Sequence, residues 1–411
     1  MDLKKTSVLV SISTAVQMLS TLIINKAISL LIGPSGLAMI GQFNNVQGIV
    51  RIIAQGGINT GVTKYTAEFK DQEKRDKLWS TSFYITLFCT VVISILTFVF
   101  SEHISEYTFK SKEYGYIFLL LSSTLILYSL NQLCLSVVNG VGEVKTYIVI
   151  KIAQSLFALV LTLALVYVYK LHGSIVALVL GQSIAFVILF FILRKNNRFK
   201  LKVDVFSTII ANKLFRFSLM RLTTAVSVPI SLLLVRSHLT SELSVDSAGY
   251  WQSMYYISTM YLSVITTALS VYYLPKISSI QLKSEIRKEL YEGYKLVVPF
   301  LIISCTSIYL LKEFIVNILF SSDFTPMLVL FKWQLFADII RVCAWLLSYL
   351  LVAKAKTKLH IFNELLYAIL FVTLNIIFVD WYGLVGASYA SFLISILYLT
   401  SIGVSVRKII Y

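Results

Sequence analysis

The sequence predicts an all-α membrane protein of twelve transmembrane helices in two parallel six-helix lobes. Three observations carry this. Of 411 residues, 57% are hydrophobic and only 14% charged, with a mean hydropathy of +0.82, whereas a soluble domain carries about 25% charged residues. Most of the chain falls in apolar runs of about 18 residues or more, the length that crosses a bilayer as a helix. The Lys and Arg residues lie mainly in short connectors between these runs. That placement excludes the continuous basic surface of a nucleic-acid binder, despite a net charge of +16.

Helices are read near Val8–Ile32, Leu37–Tyr65, Leu78–Phe100, Tyr114–Asn139, Tyr147–Tyr169, Ser174–Leu193, Leu214–Leu239, Ser247–Ile277, Leu296–Leu311, Met327–Val352, Leu359–Phe378 and Leu384–Val406. Lys4 and Lys5 precede the first run without a small-residue cleavage site, so that run is expected to stay as a helix. In the ninth, apolar residues continue past Lys312 and Glu313 until Asp323 and Pro326 end the segment. With the N-terminus inside, the inner segments hold 25 Lys and Arg and the outer ones four. This bias places both termini in the cytoplasm. The short outer loops leave no periplasmic domain for a polymerase or transferase site.

The polar connector 196–213 divides an N-lobe, 1–195, from a C-lobe, 214–411. The lobes read as a duplication. Gly41-Gln42-Phe43 matches Gly249-Tyr250-Trp251 at an offset of 208, Gly140-Val141-Gly142 matches Ala353-Lys354-Ala355 at 213, and Gly173 with Ala177 matches Gly383 with Ala387 at 210. Six spans per repeat preserve orientation, so the repeat is parallel, an arrangement suited to alternating access.

A Lys or Arg at a helix centre costs about 2.5–3.5 kcal/mol on insertion scales, so such charges are kept where they face a cavity or a partner. Seven cations fall within spans, against Asp338, Glu364 and, at an outer edge, Asp380; a cavity so lined would hold an anion. Asn44, Gln47, Arg51 and Gln55 recur at i, i+3, i+7 and i+11, a stripe about 16 Å long. It is either a sugar- and phosphate-binding face or a polar seam between helices, and four such groups in line favour the former. Gln252 and Tyr256 repeat the theme on the eighth helix with Thr259, Ser263 and Ser270. Arg221 and Arg236, about 22 Å apart on the seventh, mark two depths of one wall. Gln334, Asp338 and Arg341 share a face of the tenth. Asp338 and Arg341 form either a structural ion pair or part of the transport machinery, two readings of equal weight. Lys332 and Lys151 are placed to snorkel to headgroups. Lys26 is assigned to the cavity beside Asn25, and Glu364 is a second acid able to exchange a proton.

Other features carry no chemistry. Cys89, Cys134, Cys305 and Cys343 lie in apolar runs as packing residues. No His pair shares a helix face, which argues against a metal, and no Walker loop or GxSxG occurs. Tyr167 with Tyr169 and Trp381 with Tyr382 suit interface belts.

The stretch Gly33-Pro34-Ser35-Gly36-Leu37 and the run Gly61-Val62-Thr63-Lys64-Tyr65 resemble the Wzx-type flippases of the multidrug/oligosaccharidyl-lipid/polysaccharide exporter superfamily. So do the segment from Pro229 through Arg236 and Trp251-Gln252 to Tyr273-Leu274-Pro275, and Trp333-Gln334 with Ala353-Lys354-Ala355. The similarity runs across nearly the whole chain. It implies two lobes forming a V and no enzymatic reaction. The implied substrate is undecaprenyl diphosphate bearing one oligosaccharide unit, of O-antigen or enterobacterial common antigen type, moved from the cytoplasmic to the periplasmic leaflet of the bacterial inner membrane. It implies cations that meet the diphosphate, and Lys26, Lys64, Arg236 and Arg341 lie within or beside the resembling stretches; Arg51 and Arg221 are assigned from their own helices. Membrane lipids, an O-antigen polymerase and a chain-length regulator are the expected partners. No cofactor is expected beyond a coupled proton or sodium ion, for which Asp338 and Glu364 are the candidate acids. A cation-coupled multidrug exporter and a lipid II flippase are the rivals, disfavoured by the cation-rich core and by the lack of helices beyond twelve.

Overall fold

A computed structural model describes residues 3–69, 71–194, 206–269, 282–354 and 356–410, together with 273, 276, 277 and 280. Regular structure among them is helical throughout, as the composition predicts. The first unit opens with α1 (Leu3–Leu31) and α2 (Gly33–Ala54), where Pro34 in the first turn starts a helix without losing a needed N–H. The expected second span, Leu37–Tyr65, is not continuous. Gly56 and Gly57, with φ of 64° and 62°, break it, and α3 (Asn59–Glu68) resumes on a new course. The break is fixed from outside, since Ser218 donates to the Gly56 carbonyl. Next come α4 (Gln72–Val99, capped by the Asp71 side chain), the short α5 (Ser101–Phe109), α6 (Gly115–Val141) and α7 (Val144–Arg194). Lys170 (φ 47°, ψ −122°) folds α7 into two limbs, close to the fifth and sixth expected spans.

After residues 195–205, which lie outside the described set together with most of the expected connector 196–213, come α8 (Thr208–Glu242) and α9 (Val245–Ala268). Then follow α10 (Lys283–Leu310), α11 (Lys312–Leu319), a 3₁₀ segment (Ser322–Leu330), α12 (Phe331–Ala353), α13 (Thr357–Tyr382) and α14 (Leu384–Ile410). The ninth span, expected from Leu296, begins a full three turns earlier. Ile286 and Leu290 are buried and carry α10 into what reads as a polar connector.

Two compact units result: Met1–Ile32 with Met39–Pro229, and Gly33–Ala38 with Ile230–Tyr411. Each contains a long helix, a short one and another long one (α4, α5, α6; α10, α11, α12), followed by a helical hairpin. The hairpins correct the register of the duplication. Lys170 (47°, −122°) and Gly383 (61°, −145°) share one backbone conformation. A methyl at Gly173 would fall on the Leu165 carbonyl, and one at Gly386 on the Phe378 carbonyl. Lys170 therefore corresponds to Gly383 and Gly173 to Gly386, at an offset of 213 and not 210. Matching glycine to glycine misaligned the repeat by three, because the first unit uses a lysine where the turn favours glycine.

Eight helices among the described residues are long and apolar enough to cross a membrane. They show it outside as well as inside, with Phe88, Val160, Tyr167, Leu310 and Val404 each exposed over most of their surface, as lipid-facing side chains are. Three further helices of 22 to 35 residues, α2, α8 and α9, fall short of that apolarity. They carry the stripe of Asn44 to Gln55, the two arginines of α8 and the stripe that starts at Gln252.

Candidate functional site

In the first unit the stripe of α2 is packed inward. Gln47, Arg51 and Gln55 are buried and Asn44 is half-buried. The Arg51 Nη2 donates to the Leu178 carbonyl at 3.1 Å and the Val179 carbonyl at 3.5 Å, both in the second limb of α7, and its guanidinium lies 4.2 Å from the centre of the Tyr128 ring. Gln47 reaches the same Leu178 carbonyl at 3.4 Å. Gln55 turns back to the Arg51 carbonyl, 2.8 Å, and accepts from Asn59 beyond the glycine break. No carboxylate among the described residues pairs with Arg51, and its Nε finds no acceptor. A fixed positive charge thus sits inside the unit, held by carbonyl dipoles and a π face. Helical phase finds the stripe from sequence but not its partners, which are main-chain oxygens and a tyrosine without a motif. Lys26 on α1 is half-buried, and Lys64 on α3 is exposed with its ammonium 5.2 Å from the Tyr65 ring centre.

The second unit holds most of the rest, Arg221 belonging to the part of α8 that lies in the first. Arg236, buried on α8, donates to Gln252 of α9 and lies 5.6 Å from the Trp251 ring centre. Two of the residues read separately from sequence are thereby one hydrogen-bonded pair. Tyr256 is half-buried one turn on from Gln252. Thr259 and Ser263 bond carbonyls of their own helix, at 2.7 Å each. Arg221 lies in α8 with its side chain outside the described set, and Ser270 lies outside it altogether.

On α12, Asp338 is fully buried and accepts from three side chains: Tyr261 at 2.5 Å, Gln334 at 2.9 Å and Arg341. Arg341 is the more open partner and lies 5.6 Å from the Trp345 ring centre. Tyr261, on α9, has no signal in the sequence. Gln334 and Arg341 also line a small cavity with Trp251, Tyr255, Phe371 and Ser391. Glu364, half-buried on α13, accepts from Tyr398 of α14 at 2.6 Å. Among the described residues no group of His, Cys, Asp or Glu has the spacing of a metal site.

Among the described residues each unit holds interior cations flanked by amides and aromatics, and Asp338 and Glu364 are each engaged by a tyrosine. Residues 27–329 match a family described as polysaccharide biosynthesis protein. The chain belongs to this family. The chain is 28% identical over 400 residues to a lipid III flippase of Escherichia coli (strain K12), covering 95% of this chain and 94% of that one. It matches a lipid III flippase of Shigella flexneri to the same extent. Its fold is that of the multidrug/oligosaccharidyl-lipid/polysaccharide exporters. An inward-facing multidrug resistance transporter of that superfamily superposes with a TM-score of 0.81 at 15% identity over 98% of both chains. The lipid II flippase MurJ gives 0.74 at 15% identity over 98% of this chain and 87% of that one. The resemblance read from Gly33–Leu37 onward holds at the level of family and fold. The names of these relatives are those of flippases and transporters, not of enzymes.

Proposed function

We propose that this protein flips an undecaprenyl-diphosphate-linked oligosaccharide unit, of O-antigen type, across the bacterial inner membrane. The unit moves from the cytoplasmic to the periplasmic leaflet by alternating access, and both termini lie in the cytoplasm. The observation that carries this reading is the end-to-end likeness to flippases of a lipid-linked unit. Interior chemistry supports it. A diphosphate needs cations, and a sugar needs amides and aromatic faces.

Exposure divides the labour. Lys26, Lys64 and Arg341, which retain accessible surface, meet the phosphates, with Arg221 at a second depth. Arg51 and Arg236 are buried against fixed partners and supply the field that draws the anion in. Asn44 and Tyr256, which keep accessible surface, face the sugar, while Gln47, Gln55 and Gln252, read with them as sugar-binding, are buried against fixed partners and shape that wall from behind. A proton or sodium ion couples through an acid. Asp338, already neutralised by Arg341, is the poorer candidate, and Glu364 the better. Membrane lipids surround the two lobes, 1–195 and 214–411, and a polymerase and chain-length regulator act on the product.

The test is complementation in two strains, each lacking its own flippase, one for an O-antigen unit and one for an enterobacterial common antigen unit. Restored surface glycan and loss of undecaprenyl-linked units accumulated inside are expected in the O-antigen strain. Rescue only of the other strain changes the substrate assignment. Rescue of neither, with restored drug resistance or lipid II export in the matching mutants, overturns the reading.

A further inference from the structure

The second unit encloses a small cavity whose walls come mainly from four helices. Gln334 and Arg341 line it from α12, Trp251 and Tyr255 from α9, Phe371 from α13, and Ser388 and Ser391 from α14. Trp251 stacks on Tyr255 with ring centres 6.1 Å apart and meets Phe371 at 6.4 Å, so part of the wall is aromatic. The space open to the centre of a water-sized group is about 10 Å³. That is room for one such group and not for a sugar ring.

The hydrogen bonds along the wall fix what the guest must offer. Arg341 gives an Nη2 N–H to Asp338, and its buried Nε–H has no acceptor among the described residues. Gln334 gives its amide N–H to Asp338 at 2.9 Å, which leaves its carbonyl oxygen to accept. Ser388 donates to the Val385 carbonyl at 2.8 Å and Ser391 to the Ala387 carbonyl at 2.9 Å, so each hydroxyl has only lone pairs left. The lining thus carries one spare donor and three spare acceptors. A bare anion would meet three sets of lone pairs, and a metal cation would meet a guanidinium. A hydroxyl accepts one hydrogen bond and gives another, so it suits both. The Arg341 charge is already balanced by Asp338, and a neutral guest buries no unpaired charge beside them.

We infer that this cavity is a socket for the hydroxymethyl group of a hexose, an assignment that rests on the flippase reading for the lipid-linked unit that carries the sugar. The hydroxyl oxygen takes the Arg341 Nε–H and gives its own proton to Gln334 or to one of the two serines, while the methylene packs against Trp251 and Phe371. A ring hydroxyl cannot enter unless the ring follows it, whereas a hydroxymethyl carries its oxygen one carbon further out. Arg341 then has two tasks: its accessible edge stays with the phosphates, and its enclosed Nε–H reads the sugar. Gln334, Ser388 and Ser391 become specificity-determining residues. A 6-deoxy sugar brings a methyl that displaces water from the socket without replacing its hydrogen bonds, and such an exchange loses affinity.

The test is calorimetric binding of two probes to the purified full chain: a short-chain prenyl diphosphate bearing glucose, and the same lipid bearing 6-deoxyglucose. The wild type should bind the glucose probe roughly tenfold tighter or more. Ser391→Val fills the socket and leaves Asp338 and Arg341 in place. It should weaken the glucose probe by about that factor and barely change the 6-deoxy probe. Ser388→Ala removes an acceptor without adding volume and should narrow the preference by less; if Ser391→Val does not purify, this variant and the wild-type ratio decide. Equal affinities in the wild type mean that the cavity takes water only, which overturns the socket and leaves the flippase reading standing. A wild-type preference that survives intact in the serine variants also overturns it. Binding of neither probe by the wild type overturns the flippase reading itself.

Discussion

Asp338 accepts from Tyr261, Gln334 and Arg341 inside the second unit, so its charge is fully compensated and costly to disturb. Removing one member of a buried pair leaves the other charge without its partner, at about 3–5 kcal/mol. Asp338→Asn is therefore expected to purify in low yield, and an apolar replacement of Asp338 and Arg341 together to recover it. Tyr261→Phe, which deletes one bond to a charged group, should cost roughly 1.5–3 kcal/mol. Size-exclusion yield and thermal unfolding in detergent decide this. If Asp338→Asn is as stable as the wild type yet abolishes surface glycan, the aspartate belongs to transport and not to packing. Arg51 sets the opposite expectation. Its main acceptors are helical carbonyls that have amide partners of their own, so Arg51→Ala removes a buried charge without stranding another. Protein level should stay near normal while surface glycan falls sharply, with Arg51→Lys retaining part of it. Wild-type glycan from the alanine variant would mean that the Arg51 charge has no part in transport.

The two helical hairpins allow an internal comparison. Both turn through a conformation at positive φ that L residues disfavour, yet the first places Lys170 there and the second Gly383. Such strain costs of order 1–3 kcal/mol, so Lys170→Gly should raise the unfolding temperature and Gly383→Ala should lower it. Gly386→Ala and Gly173→Ala should each lower it further, because the added methyl meets a carbonyl. Gly403→Ala, where a methyl meets nothing within 4 Å, should be neutral or mildly stabilising, since alanine favours helix by about 1 kcal/mol. Equal effects of Gly386→Ala and Gly403→Ala in scanning fluorimetry would refute the close approach. Helices of this kind were readable from sequence because a span announces itself by length and apolarity. The break at Gly56-Gly57 was not, since two adjacent glycines are tolerated in membrane helices. Neither were Tyr261, Tyr398 and the Leu178 carbonyl, because a hydroxyl or main-chain oxygen on a distant helix leaves no periodic trace.

At the scale of the whole molecule, the sequence is legible through its charge asymmetry: cations gather on alternate connectors, those the positive-inside bias reads as inner, and within the expected spans they outnumber acids. A diphosphate carrying roughly two negative charges out of an inside-negative cell gains about 2.3 kcal/mol per charge per 100 mV, if it crosses the full field uncompensated. That is a sizeable driving force. Arg51 and Arg236, fixed against their own units, reduce the net charge moved to the extent that they travel with the substrate through each half-cycle. On the proposed coupling, a proton returning inward through Glu364 would add to this force. The two contributions separate in reconstituted vesicles. With pH and sodium matched across the membrane, flipping of the lipid-linked unit should accelerate when the substrate-loaded side is made negative and slow when the sign is reversed. With the potential clamped at zero, a pH difference should accelerate it in the wild type and leave Glu364→Gln unchanged. A rate indifferent to 100 mV of either sign would exclude voltage as the driver. A Glu364→Gln variant that still answers to the pH difference would move the coupling proton to another group.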